Sequence, residues 1–134
     1  MTEDQKDHKE ILLVDDDSNY AELVRIRLEA AGYKVFYAAN GREALEFLEK
    51  EDKPRLIIMD LDMPDKNGLT TLINMSIRRK GNEPDGKFDI PVVVATGFGG
   101  EHIRKIVMDQ NISGYLRKPY QSEELLRTVK QLIG

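Results

Sequence analysis

The chain contains no cysteine, which excludes disulfides, thiolate metal centres and thiol nucleophiles. Its two histidines, His8 and His102, stand alone and read as surface residues rather than ligands. Its longest apolar runs reach only four to five residues, far short of a membrane span, so no membrane partner is expected. The polar stretch Met1-Thr2-Glu3-Asp4-Gln5-Lys6-Asp7-His8 has none of the apolar core of a secretory leader, so the expected location is cytoplasmic. A net charge of −4 argues against direct nucleic-acid binding, which needs a basic face. What remains is a chain of 134 residues, 40% hydrophobic and 33% charged, enough for one globular domain with a real core.

The strongest pattern is Leu56-Ile57-Ile58-Met59-Asp60-Leu61-Asp62-Met63-Pro64, four apolar residues running into a carboxylate. Such a run reads as a buried strand of a parallel sheet, with Asp60 at the C-terminal end where open α/β sheets hold their ligands. Further strands are expected at 11–14, 35–38, 91–96 and 112–116. Helical spacing predicts helices at 19–31, 42–50, 68–79, 101–110 and 122–132. Asp17 or Ser18 is expected to cap the first, Gly32 to end it, and Ser122 to cap the last. Residues 1–8 read as a flexible tail and 9–134 as a single domain. Five strands alternating with five helices imply an α/β fold with a doubly wound parallel sheet and right-handed crossovers. The order 2-1-3-4-5 is taken from the flavodoxin-like precedent for such folds.

In that order four strand ends converge. Strand 1 ends in Asp15 and Asp16, strand 3 in Asp60 and strand 4 in Thr96, and strand 5 runs into Lys118-Pro119. Three carboxylates in one pocket repel, and a divalent cation resolves the repulsion. Mg²⁺ suits one or two carboxylates, a backbone carbonyl and waters. With the Lys118 ammonium and the Thr96 hydroxyl, the cation would cradle a phosphoryl group beside Asp60 as carboxylate nucleophile. The chemistry this predicts is phosphoryl transfer onto Asp60.

These residues resemble the receiver domain of two-component response regulators, of the single-domain chemotaxis-regulator-like type. Ile11-Leu12-Leu13-Val14-Asp15-Asp16 is similar to that family's first strand and acidic pair. Met59-Asp60-Leu61-Asp62-Met63-Pro64, with Gly68 eight residues past Asp60, resembles its phosphoacceptor motif. Val94-Ala95-Thr96 and Leu116-Arg117-Lys118-Pro119-Tyr120 resemble its hydroxyl and lysine motifs, over about residues 9–133 in all. The resemblance implies that Asp60 accepts a phosphoryl group from a histidine kinase or phosphotransfer protein. It implies Mg²⁺ held by Asp16, Asp60 and the backbone carbonyl of Asp62, with Asp15 near the metal. Lys118 would pair with Asp60 and then with the phosphate. Thr96 and Tyr115 would form a switch that remodels the face of helix 101–110, strand 5 and the last helix. The Lys118–Pro119 bond is cis in the family. On this reading the protein is not an enzyme beyond its own phosphorylation and dephosphorylation. It controls an output protein whose identity the sequence does not give, and a phosphorylation-dependent homodimer stays open. Because the chain ends just after the last helix, a single-domain regulator is expected.

Other readings of the same residues are poorer. Asp15, Asp16 and Asp17 alone would be a helix-capping turn. Asp60-Leu61-Asp62 fails as a calcium loop because Pro64, Asp65 and Thr71 occupy key positions. It fails as a haloacid-dehalogenase-like phosphatase, the rival from another class, because Pro64 replaces the expected Thr and the acidic pair comes first. The chain also departs from the commoner receiver pattern. Gly97, Gly99 and Gly100 predict a mobile loop after strand 4, residues 80–89 make a long polar loop, and Tyr120 replaces Phe. Asp62 and Phe98 are expected to flank the water that hydrolyses the acyl phosphate, with Phe98 hindering it.

Overall fold

A computed structural model describes residues 9–49, 54–61, 90–97, 101–110 and 112–134. Five strands, β1 (Glu10–Val14), β2 (Lys34–Ala38), β3 (Leu56–Asp60), β4 (Val92–Thr96) and β5 (Gly114–Arg117), form one parallel sheet in the order β2-β1-β3-β4-β5. Among the described residues the helices are α1 (Ser18–Ala30), α2 (Gly41–Leu48), α3 (Glu101–Met108) and α4 (Ser122–Ile133). The helix expected at 68–79, the loop at 80–89, the tail at 1–8, and Asp62, Phe98, Gly99 and Gly100 lie outside the described residues.

The three central strands β1, β3 and β4 are almost wholly buried apolar runs because both faces of the sheet are covered there, whereas the outer strands β2 and β5 are only partly buried. Side-chain alternation divides them between two cores. Leu12, Val14, Ile57, Met59, Val92 and Val94 point to one face, against Ala44 and Leu48 of α2 and Val107 of α3. Ile11, Leu13, Leu56, Ile58, Val93, Ala95 and Leu116 point to the other, against Ala21, Val24 and Leu28 of α1 and Leu125 and Val129 of α4. A register slip of one residue would exchange these two sets, so the pairing is strongly specified.

Some element ends match the sequence expectation and others depart from it, each for a local reason. Asp17, not Ser18, caps α1, its carboxylate accepting from the Asn19 and Tyr20 N–H groups. Gly32 follows at φ 101°, a left-handed value glycine takes without strain. Ser122 is the first residue of α4 rather than its cap; Gln121 holds the cap position with no side-chain bond. The α2 N-terminus carries a reciprocal cap that the sequence reading missed. Asn40 Oδ1 accepts from the Glu43 N–H at 2.9 Å, and Glu43 Oε1 accepts from the Ala39 N–H at 2.8 Å. On α1, the apolar residues Leu23 and Ile26 face outward at 56% and 54% exposure.

All five strands run the same way, so their C-terminal ends share one rim. The register sets Val14 beside Met59, Asp60 beside Ala95 and Thr96 beside Arg117. Residues just past these pairs are therefore neighbours however far apart they lie in the sequence.

Candidate functional site

The acidic run after β1 is divided among three tasks. Asp15 stays tied to the sheet: its N–H donates to the Ala38 carbonyl at 3.1 Å, and its own carbonyl accepts from the Tyr37 hydroxyl at 2.6 Å. Its carboxylate accepts from the Asp17 N–H at 2.9 Å, which turns the chain into α1. Asp16 is exposed at the mouth of the site. Asp17 caps the helix, as the capping reading expects for this run, while Asp15 and Asp16 lie in a cluster with Asp60.

Asp60 is the last residue of β3. Asp15, Asp60 and Thr96 are 2%, 4% and 0% exposed, the buried polar residues among those described. Lys118 Nζ lies 3.0 Å from Asp60 Oδ1, with the lysine side chain 19% exposed. The Lys118 N–H donates to the Thr96 carbonyl at 3.0 Å, and the Lys118–Pro119 peptide is cis. Thus β4 fixes the start of the segment that carries the ammonium to the carboxylate.

Asp15, Asp16 and Asp60 each offer a carboxylate oxygen, all within 4.8 Å of one another. Burial pushes the Asp15 carboxyl up from 3.8 to about 7, and its hydrogen bond with Asp60 adds to the rise. The Asp17 N–H and the Lys118 charge oppose it but do not win. The cluster has more buried negative charge than one ammonium balances, and its donors are all hard oxygens. That donor set fits Mg²⁺, which takes one or two carboxylates and keeps several waters.

Residues 11–130 match the response regulator receiver domain family. The chain belongs to that family. It is 29% identical over 126 residues to the polar-differentiation response regulator DivK of Brucella anthropi, covering 94% of this chain and 97% of DivK. It is 32% identical over 123 residues to the transcriptional regulatory protein CpxR of Escherichia coli, covering 92% of this chain but 48% of CpxR, so it spans about half of that relative. The solved receiver domain protein (CheY-like) of Methanospirillum hungatei superposes with a TM-score of 0.78 at 27% identity, covering 92% of each chain. Among the described residues no helix is long and apolar enough to cross a membrane.

Around this acidic cluster the structure adds aromatic residues to which the sequence reading gave no role in the site. Lys118 Nζ lies 4.5 Å from the centroid of the Tyr20 ring. Tyr20 and Tyr120 meet edge to face, 6.3 Å between centroids at 85°. Tyr37 holds the backbone of Asp15, as above. The available signal was only that Tyr20 follows the acidic run by one turn of helix. Tyr115, the expected switch aromatic, is half-buried on β5, with the Arg104 guanidinium of α3 5.6 Å from its ring centroid.

Proposed function

We propose that residues 9–134 act as a phosphoacceptor switch, with Asp60 as the nucleophile. The observation that carries this is the Asp60–Lys118 pair at 3.0 Å, at a buried rim that also holds Asp15 and Asp16. In the reaction an Asp60 carboxylate oxygen forms the new P–O bond. The P–N bond of a phosphohistidine on a histidine kinase or phosphotransfer protein breaks, and the imidazole leaves with the electron pair and takes up a proton. Asp16, Asp60 and the Asp62 carbonyl would hold Mg²⁺, with Asp15 beside them. When bound, the cation would neutralise the phosphoryl oxygens and the carboxylate repulsion.

Lys118 keeps the remaining charge balanced, first on Asp60 and then on the phosphate. Thr96 donates its hydroxyl to the phosphate, and Tyr115 follows inward. The phosphate biases the equilibrium only through contacts that are better in the switched state. The face changed is that of α3, β5 and α4, which would control a partner protein. The domain turns over nothing but its own aspartyl phosphate.

Incubation with Mg²⁺ and a small acyl phosphate, read by intact mass, tests this. The expected result is a gain of about 80 Da, acid-stable and base-labile, that needs Mg²⁺ and is absent in Asp60→Asn. Rapid multiple turnover of phosphomonoesters, or the same mass gain in Asp60→Asn, would overturn it.

A further inference from the structure

We propose that Tyr20 is a positioning residue for Lys118, its ring face holding the ammonium while Asp60 and then the phosphoryl group accept its hydrogen bonds. The inference rests on the phosphoacceptor reading of Asp60. Lys118 Nζ is 4.5 Å from the Tyr20 centroid and 3.0 Å from Asp60 Oδ1, so one ammonium meets both at once. The first distance is well within the range of a cation–π contact.

The ring is braced from two sides. The Tyr20 N–H donates to the Asp17 cap at 3.1 Å, which fixes its backbone in the first turn of α1. The Tyr120 ring stands edge-on to Tyr20 at 85°, with 6.3 Å between centroids. Tyr120 lies two residues past Lys118, beyond the cis peptide. The segment that carries the ammonium therefore also carries the group that orients the ring beneath it.

This arrangement suits the task. A lysine has a long flexible stem and three donors around a point charge. In the transfer its ammonium must pass from a carboxylate oxygen to a phosphoryl oxygen without leaving the site. A carboxylate partner fixes it by directional hydrogen bonds that would have to break. A ring face attracts the charge without using a donor, so Nζ can pivot between acceptors while its position is kept. Plain apolar packing at position 20 would fill the space but would lack the electrostatic hold.

The experiment pairs two readouts on the intact chain. Ring-current shifts of the Lys118 side-chain protons report the contact without any phosphorylation. The Mg²⁺-dependent rate of modification by a small acyl phosphate reports its use. We expect upfield Lys118 resonances in the wild type and in Tyr20→Phe, lost in Tyr20→Leu. Modification should stay near wild type in Tyr20→Phe and fall about three- to tenfold in Tyr20→Leu. Should Tyr20→Leu not fold, phenylalanine and 3,4,5-trifluorophenylalanine at position 20 keep the shape while weakening the ring quadrupole, and the rate should fall with fluorination. Wild-type Lys118 resonances at ordinary positions, or rates indifferent to Leu or to fluorination, would overturn the proposal. No modification of the wild type despite shifted resonances would instead bring down the phosphoacceptor reading and leave the contact standing.

Discussion

The sheet ends in two rims made from the same five strands, and they treat charge in opposite ways. At the N-terminal rim, backbone groups do the joining. The Lys34 N–H donates to the Lys9 carbonyl at 3.0 Å, the Arg55 N–H to the Glu10 carbonyl at 2.7 Å, and the Ser113 N–H to the Val92 carbonyl at 2.8 Å. The charged side chains there, Lys9, Glu10, Lys34 and Arg55, are half-buried or exposed and keep contact with water. At the C-terminal rim two carboxylates and a threonine are buried, and an ammonium is drawn in after them. Burying a carboxylate is costly unless its charge is met. The rim that accepts this cost, beside one that avoids it, is the one that carries the candidate site.

The same substitution at each rim tests the contrast. Lys118→Met keeps an apolar stem but leaves Asp60 without its ammonium. Breaking a deeply buried pair costs about 3–5 kcal/mol, and the partial exposure of Lys118 reduces this to about 1–3 kcal/mol. Thermal or urea melts in Mg²⁺-free buffer should show that loss. An unchanged melt would mean that the C-terminal rim holds its charges no more tightly than the other.

Much of this contrast was legible in the sequence. Leu56–Asp60 and Val92–Thr96 are buried runs ending in polar residues, and that pattern alone places Asp60 and Thr96 on one rim. Lys118 could be added because strand 5 points it to the same side. Other features were not legible. Helical spacing gives an apolar stripe but not its edges: Leu23 and Ile26 fall at that spacing yet stay exposed, and the buried residues of α1 are Ala21, Val24 and Leu28. Asp17 and Ser18 are equally good caps by type, and only the turn made by the Asp15 carboxylate decides between them. The Tyr20–Lys118 contact joins residues distant in sequence through side-chain reach, which no periodicity encodes.

Asp15 sharpens the comparison further. Its carboxyl is held at about 7 against an ordinary 3.8, chiefly by burial. The folded state therefore binds this proton more tightly than the unfolded chain does. In metal-free protein its effect is absent below 3.8, and stability falls as pH rises through the window from 3.8 to about 7. Asp15→Asn keeps the shape without the charge. Its melting temperature should exceed that of the wild type by a margin that grows across that window, measured in parallel pH series. Saturating Mg²⁺ should shrink the margin by stabilising the wild type, since a ligand that binds only the folded state at about 100 times its Kd adds about 2.7 kcal/mol. A margin independent of pH would show that Asp15 is not held above its ordinary range.

The smallest effect is expected from the matching change at the other rim. Lys9 Nζ donates to the Gly134 carbonyl at 2.8 Å in an exposed setting. Water replaces such a bond readily, so Lys9→Met should change stability by no more than about 0.5 kcal/mol. Its value lies in combination with Lys118→Met. A strand of five residues separates the rims by roughly 16 Å, beyond the range at which substitutions usually couple. The double variant should therefore lose the sum of the two single effects to within about 0.5 kcal/mol in the same melts. A larger coupling would mean that charge at one rim is felt at the other through the strands. The sheet would then act as a single electrostatic unit rather than an inert scaffold with one reactive edge.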